Sequence, residues 1–408
     1  MKKILILVLL FLTQNFSFSQ WILQPSGVTG ALRDVQFINR YTGWCCGEDG
    51  VILKTTNGGS NWNRQFTGIT NPLFGIHPVN NSVIYAVGWY GLILKTTNSG
   101  VNWLALENNP KGESYFSCYF INEQTGWIGT TFPGTKKTTN GGKTFFNQLF
   151  FDLPRDLYFK DSLNGIYSTG GGGIGKTTNG GNNWVITIIN TPGIGAEDFK
   201  RISFINNYTG FVVGAGGTTY KTTNFGDSWD SVGFITQNNN FIHSSRFVND
   251  SIGYAGGGNQ VFKTTTGGRS WVLQNIIGTG FLPSIYCYND SVVWIVGNPG
   301  HIWYTSTGGQ TSINQLSQII PENFQLSQNY PNPFNPSTSI RFSIKSKGIY
   351  NLEVYNSLGK LVENLFSKEL QAGEYEYGFN ASNLTSGIYF YKLYSERFSQ
   401  TKKMILMK

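Results

Sequence analysis

A nine-residue phrase returns seven times along this chain at a nearly constant interval. It reads KTTNGGSNW from Lys54, KTTNSGVNW from Lys95, KTTNGGKTF from Lys137 and KTTNGGNNW from Lys176. KTTNFGDSW from Lys221, KTTTGGRSW from Lys263 and a degenerate YTSTGGQTS from Tyr304 complete the series. Successive starts lie 41, 42, 39, 45, 42 and 41 residues apart. A unit of roughly 40–45 residues made of short strands cannot bury its own apolar face and must pack against copies of itself, as propeller blades do. Most of the 408 residues therefore belong to one ring rather than to several unrelated domains.

Two further landmarks divide each unit. An aromatic-led strand end precedes a turn at Phe37 with Thr42-Gly43-Trp44, Phe120 with Thr125-Gly126-Trp127, Phe204 with Thr209-Gly210-Phe211, and Phe247 with Ile252-Gly253-Tyr254. A glycine turn precedes the strand bearing the lysine, as at Asp49-Gly50, Tyr90-Gly91 and Pro299-Gly300. Three turns per unit leave four short strands, the content of one blade. The fold class is all-β: a seven-bladed β-propeller followed by a small immunoglobulin-like β-sandwich.

Within the phrase, a hydroxyl residue, an amide, a glycine and a tryptophan keep fixed spacing. The amides are Asn57, Asn98, Asn140, Asn179 and Asn224, and the indoles are Trp62, Trp103, Trp184, Trp229 and Trp271. Asn bonds nearby backbone amides and glycine accepts φ > 0, so the spacing describes a tight turn whose tryptophan starts the next strand. The phrase resembles the Asp-box of sialidases, sortilin-like receptors and related propellers. Turn chemistry accounts for every fixed position, so these residues read as structural staples rather than as ligand sites.

Only 13% of residues are charged while 15% are aromatic, and there are 51 glycines, which suits many strands joined by tight turns. The net charge of +8 is not concentrated in the ring: residues 20–315 hold 18 Lys and Arg against 15 Asp and Glu, a balance of +3. Six of those 18 are the repeated lysines, spaced around the ring, which argues against a nucleic-acid partner. His77, His243 and His301 are too few and too scattered for a metal centre, and no cofactor is expected. Cys45, Cys46, Cys118 and Cys287 lack paired metal-ligand spacing and read as buried thiols.

Residues 1–19 read as a signal peptide, with Lys2 and Lys3 before the apolar run Ile4–Leu12. Nine apolar residues fall short of the about 20 needed to span a bilayer, so no membrane anchor is expected in the mature chain. WILQPSG from Trp21 matches the segments that follow the boxes but has no box before it. The seventh box lacks such a segment, so the N-terminal strand is expected to complete the seventh blade and leave no free edge.

The boxes, the F-I-N-x-x-T-G-W turns and the seven-fold count resemble the propeller of the photosystem II stability and assembly factor family over residues 20–315. That resemblance implies a chaperone-like, non-enzymatic role, and such propellers also occur as secreted binding modules.

Residues 316–326 read as a linker, and 327–408 as a separate β-rich domain. NYPNPF from Asn329, VYNSLGK from Val354, SGIYFYKL from Ser386 and KKMILMK from Lys402 closely resemble the type A C-terminal sorting domain of type IX secretion, found in Bacteroidetes and their relatives. The resemblance implies a type IX translocon and sorting protease as partners, and a destination outside the cell or on the outer-membrane surface, reached through the periplasm.

Arg33, Arg155, Arg201 and Arg246 stand near the starts of the innermost strands, with Asp34 and Asp156 beside two of them. Innermost strands line the channel, so these guanidinium groups are expected to converge at one mouth and bind an unidentified protein or glycan. Trp89, Tyr90 and Tyr115 are candidate groove rings. The alternative is a sialidase-like glycoside hydrolase, which needs an arginine cluster, a Tyr–Glu pair and an acidic residue. No Tyr–Glu pair stands out and F-R-I-P is absent, so a non-enzymatic binding module is the primary expectation.

Overall fold

The computed structural model describes residues 21–407 except 107–111, 132–133, 150–152, 192–194, 197, 236–240, 275, 277–279, 310–312, 318–319, 336 and 382–383. The expected leader, 1–19, lies outside the described residues. Two compact units divide the chain, one spanning 20–310 and the other 311–408.

Among the described residues, seven four-stranded antiparallel sheets and one two-stranded ribbon, Asn190–Thr191 with Gly195–Ala196, make up the first unit. Blade 1 runs Leu32–Phe37, Gly43–Gly47, Ile52–Thr55 and Asn63–Gln65 from the inside outward. Later blades repeat the order, with innermost strands Leu73–Pro78, Tyr115–Phe120, Pro154–Phe159, Phe199–Phe204, Ser244–Phe247 and Ser284–Cys287. Blade 7 takes its outermost strand from the other end of the ring. Ile22–Gln24 pairs with His301–Thr305, with Leu23 opposite Trp303.

Gln24 fixes that closure. Its amide nitrogen donates to the Gly58 carbonyl at 3.1 Å, and its oxygen accepts the Trp62 indole N–H at 3.1 Å. Gln148 donates in the same way to Gly180 at 2.8 Å. Trp21 is buried and meets Tyr254 edge-on, with centroids 6.3 Å apart.

The core lies between blades rather than within them, because each sheet is apolar on both faces. The aromatic residue ending one inner strand stacks on the second strand of the preceding blade. Phe120 lies on Tyr85 at 3.6 Å, Phe159 on Trp127 at 3.6 Å, and Phe37 on Trp294 of blade 7 at 3.9 Å. The glycine of each T-G-aromatic turn makes room for that ring: a Cβ on Gly126 would stand 2.2 Å from the Phe120 ring.

Each box hydroxyl accepts two amides. Thr55 Oγ1 takes Gly59 N–H at 2.8 Å and Asn57 N–H at 3.3 Å, while Asn57 Oδ1 takes the Asn61 amide at 2.9 Å. The same pattern recurs at Thr96, Thr138, Thr177 and Thr222. The Asn reaches four residues on, and the shorter step belongs to Thr. The repeated lysines clasp the neighbouring blade: Lys95 Nζ bonds the Gly141 carbonyl at 2.7 Å while lying 5.1 Å from the Tyr85 ring centroid. Lys263 does the same to Gly308 at 3.0 Å.

The second unit is a sandwich of two four-stranded sheets. One orders Ile313–Ser317, Gly373–Asn380, Ser337–Ile344 and Gln325–Leu326; the other orders Leu361–Leu370, Gly348–Asn356, Gly387–Ser395 and Phe398–Leu406. The sandwich begins earlier than the sequence indicates. Ile313–Ser317, read above as the end of the ring and the start of a linker, pairs with Gly373–Asn380, and Leu326 is in the core. Short runs without a repeat carry little signal of which sheet they join.

The NYPNPF segment pins this unit together. Asn329 is buried, its amide N–H donating to the Tyr391 hydroxyl at 2.8 Å and its side chain to Thr338 at 2.9 Å. Phe334 is buried and exchanges backbone bonds with Ile405 and Met407 beside the final strand.

Candidate functional site

The seven inner strands align residue by residue on their pairing with the second strands. At the third position stand Asp34, Gly75, Ser117, Asp156, Arg201, Ser244 and Ser284. At the fifth stand Gln36, His77, Tyr119, Tyr158, Ser203, Arg246 and Tyr286. A pocket of about 240 Å³ occupies the channel, lined chiefly from positions three to six. Its chemistry therefore follows from which residue each blade places at two or three equivalent points.

The floor is ionic. Arg201 crosses from blade 5 to place Nη2 3.0 Å from Asp34 Oδ1 on blade 1 and Nη1 3.6 Å from Asp156 on blade 4. Asp34 also accepts the Ser284 hydroxyl at 2.7 Å and the Ile76 amide at 3.0 Å, and Asp156 accepts the Ile202 amide at 3.0 Å. Side chains of one blade thus bond the backbone of the next. Burial pushes the Asp156 carboxyl up, against the opposing pull of Arg201 and the Ile202 amide.

The wall above is aromatic. Tyr119, Tyr158 and Tyr286 carry hydroxyls that burial keeps protonated. Arg246 lies 5.7 Å from the Tyr286 ring centroid. His77 bonds the Phe120 carbonyl through Nε2 at 3.0 Å, and burial pushes its pKa down to about 4.

The four arginines do not converge at one mouth. Arg201 is spent on the floor, and Arg246 belongs to the wall. Arg33 and Arg155 occupy the second position, three residues and about 10 Å along the strand from position five. Arg33 Nε donates to Glu48 at 3.0 Å, and Arg155 lies 4.5 Å above the Phe116 ring. Sequence proximity to the strand start hid this, because a one-residue shift along a strand changes face and a three-residue shift changes both face and depth. Tyr115, proposed as a groove ring, is fully buried, whereas Trp89 and Tyr90 are exposed.

The Asp34–Arg201–Asp156 bridge was not foreseen, since its members lie up to 167 residues apart. Its signal was present in the placement of both aspartates at the same point of their repeats. Among the described residues, no cluster of His, Cys, Asp and Glu could hold a metal ion, and no helix is long and apolar enough to cross a membrane.

These features define a class: a seven-bladed β-propeller protein with a plugged, tyrosine-walled channel, joined to a β-sandwich. Residues 328–407 match the family model described as the secretion system C-terminal sorting domain, and residues 13–149 match that of photosynthesis system II assembly factor YCF48. The chain therefore carries a C-terminal sorting domain of type IX secretion, which directs it to the cell surface or the medium, behind a propeller that is similar to YCF48 over residues 13–149.

A solved structure of YCF48 bound to D1 peptide is 16% identical with TM-score 0.60, covering 72% of this chain and 99% of its own. YCF48 from Cyanidioschyzon merolae is 17% identical with TM-score 0.59, covering 70% and 98%. The GH74 xyloglucanase from Xanthomonas campestris is 10% identical with TM-score 0.57, covering 79% and 59%. At these identities the likeness is one of fold. Comparison with the curated proteins found no match.

Proposed function

We propose that the ring is a non-enzymatic binding module, exported by type IX secretion, that holds an extended segment of a partner protein in its central pocket. The observation that carries this reading is the pairing of three tyrosines with Arg246 above an ion-paired floor. Tyrosines offer broad apolar faces and fixed hydroxyl donors, while the guanidinium takes a carboxylate. That a YCF48 propeller has been solved with a peptide supports the same use of this fold.

The glycoside hydrolase alternative asks for two carboxylates free to act on a sugar lying between them. In this pocket the two carboxylates, Asp34 and Asp156, have Arg201 between them and backbone amides on their remaining oxygens.

Photo-cross-linking tests the proposal. With benzoylphenylalanine in place of Tyr158, the exported protein should capture a partner in its own envelope, and Arg246→Glu should abolish the product. Cross-linking indifferent to Arg246→Glu sinks the pocket as the site. Turnover of a polysaccharide that is lost in Asp156→Asn would replace binding with hydrolysis.

A further inference from the structure

The channel has a second end, and it is built differently. Residues at the second position of blades 1 to 4 form a continuous file, two phenylalanine rings with an arginine at either end. The Arg33 guanidinium lies 5.9 Å from the Phe74 ring, Phe74 lies 6.0 Å from Phe116, and Phe116 lies 4.5 Å beneath the Arg155 guanidinium. Trp89 continues the file outward, 6.0 Å from Phe74 and 5.9 Å from Tyr90.

Two of these groups are not explained by folding. Trp89 and Tyr90 are 44% and 63% exposed, so their rings contribute little to the core. Tyr90 also sits at φ 53°, a left-handed conformation that a bulky residue adopts only under strain. The equivalent turn of blade 1 places Asp49 there, a residue that accepts the conformation more readily. Blade 2 therefore carries strain in order to display an aromatic ring at this rim.

Charge is uneven along the file. Arg33 is neutralised by Glu48, whereas Arg155 makes no ion pair among the described residues and its buried Nε has no hydrogen-bond partner. A ligand that fits needs an anionic group for Arg155 and flat apolar faces for the exposed rings, together with hydroxyls suited to the wet rim. A hexuronic acid unit combines these features.

We infer that this end of the channel is a binding site for an acidic polysaccharide, with Arg155 taking a uronate carboxylate and Trp89 and Tyr90 stacking on neighbouring sugar rings. The site goes beyond the tyrosine pocket and shares no residue with it, so either can fail alone.

Titration of the full chain with a short oligogalacturonate should show saturable binding, while a neutral malto-oligosaccharide binds far more weakly. Arg155→Ala and Trp89→Ala should each weaken binding by about tenfold, the loss of one charge-assisted pair or one stacking face. Arg64→Ala, which removes an exposed positive charge from the outer strand of blade 1, should leave it unchanged. Thermal melts of all three variants check that the ring persists. No preference for galacturonate over the neutral sugar overturns the inference, as does equal competition by polyglutamate, which would make the rim a general anion or acidic-peptide site. Binding indifferent to Arg155 and Trp89 in folded variants overturns it too.

Discussion

Thr138 illustrates how one hydroxyl holds a turn. It is fully buried and accepts the Gly142 and Asn140 amides at 2.9 and 3.3 Å. Thr138→Ala strands buried donors and should destabilise the ring by about 1–3 kcal/mol in urea denaturation. Gly126→Ala should cost a similar amount, roughly 1–3 kcal/mol of overpacking, because the new methyl group meets the Phe120 ring. Removing the bridging cation with Arg201→Met leaves the buried Asp34 and the half-buried Asp156 without their shared counter-charge and should cost about 3–5 kcal/mol. Titration follows from His77, held neutral down to about 4 by burial. Its unfolded form protonates near 6.5, so between about pH 6.5 and 4 the unfolded chain binds more protons and stability falls with pH. Burial lowers His243 and His301 likewise. Denaturation midpoints at successive pH values should show this fall, with a shallower slope in His77→Gln.

At the scale of elements, the strand Ile22–Gln24 closes blade 7 against His301–Thr305. Deleting 21–27 should open the ring and lower its melting temperature sharply, whereas Gln24→Ala, which removes the bonds to Gly58 and Trp62, should cost only about 1–3 kcal/mol. This closure was legible in sequence because WILQ repeats the segment found after Trp271 as WVLQ. Repetition makes every blade a reading of the others, so strand number and box turns were legible as well. Depth along the inner strand was not. Arg33 and Arg201 sit at successive positions of their strands, yet one meets the rim and the other the plug. Bulges between Leu32 and Asp34, and between Phe199 and Ile202, shift the register there, and no residue type announces them.

For the whole molecule, the ring and the sandwich have separate cores. Calorimetry should resolve two transitions, and a chain ending at residue 310 should keep the ring's own. A fragment starting at 311 should melt higher than one starting at 327, because the latter loses the strand Ile313–Ser317 and the buried Leu326. Equal melting of the two fragments would show that neither contributes to the sandwich. The sorting motifs were readable because their order is fixed along the chain, while the unrepeated strand that precedes them offered no such frame.

The first of the ring's strands to be made is also the one that finishes the last blade, and its partner, His301–Thr305, is made only after nearly the whole ring. No growing chain can complete the circle, so this protein must remain an open arc until synthesis has passed that point. Closure of the ring is thus gated by its last-made blade, whatever the order in which the other six take shape.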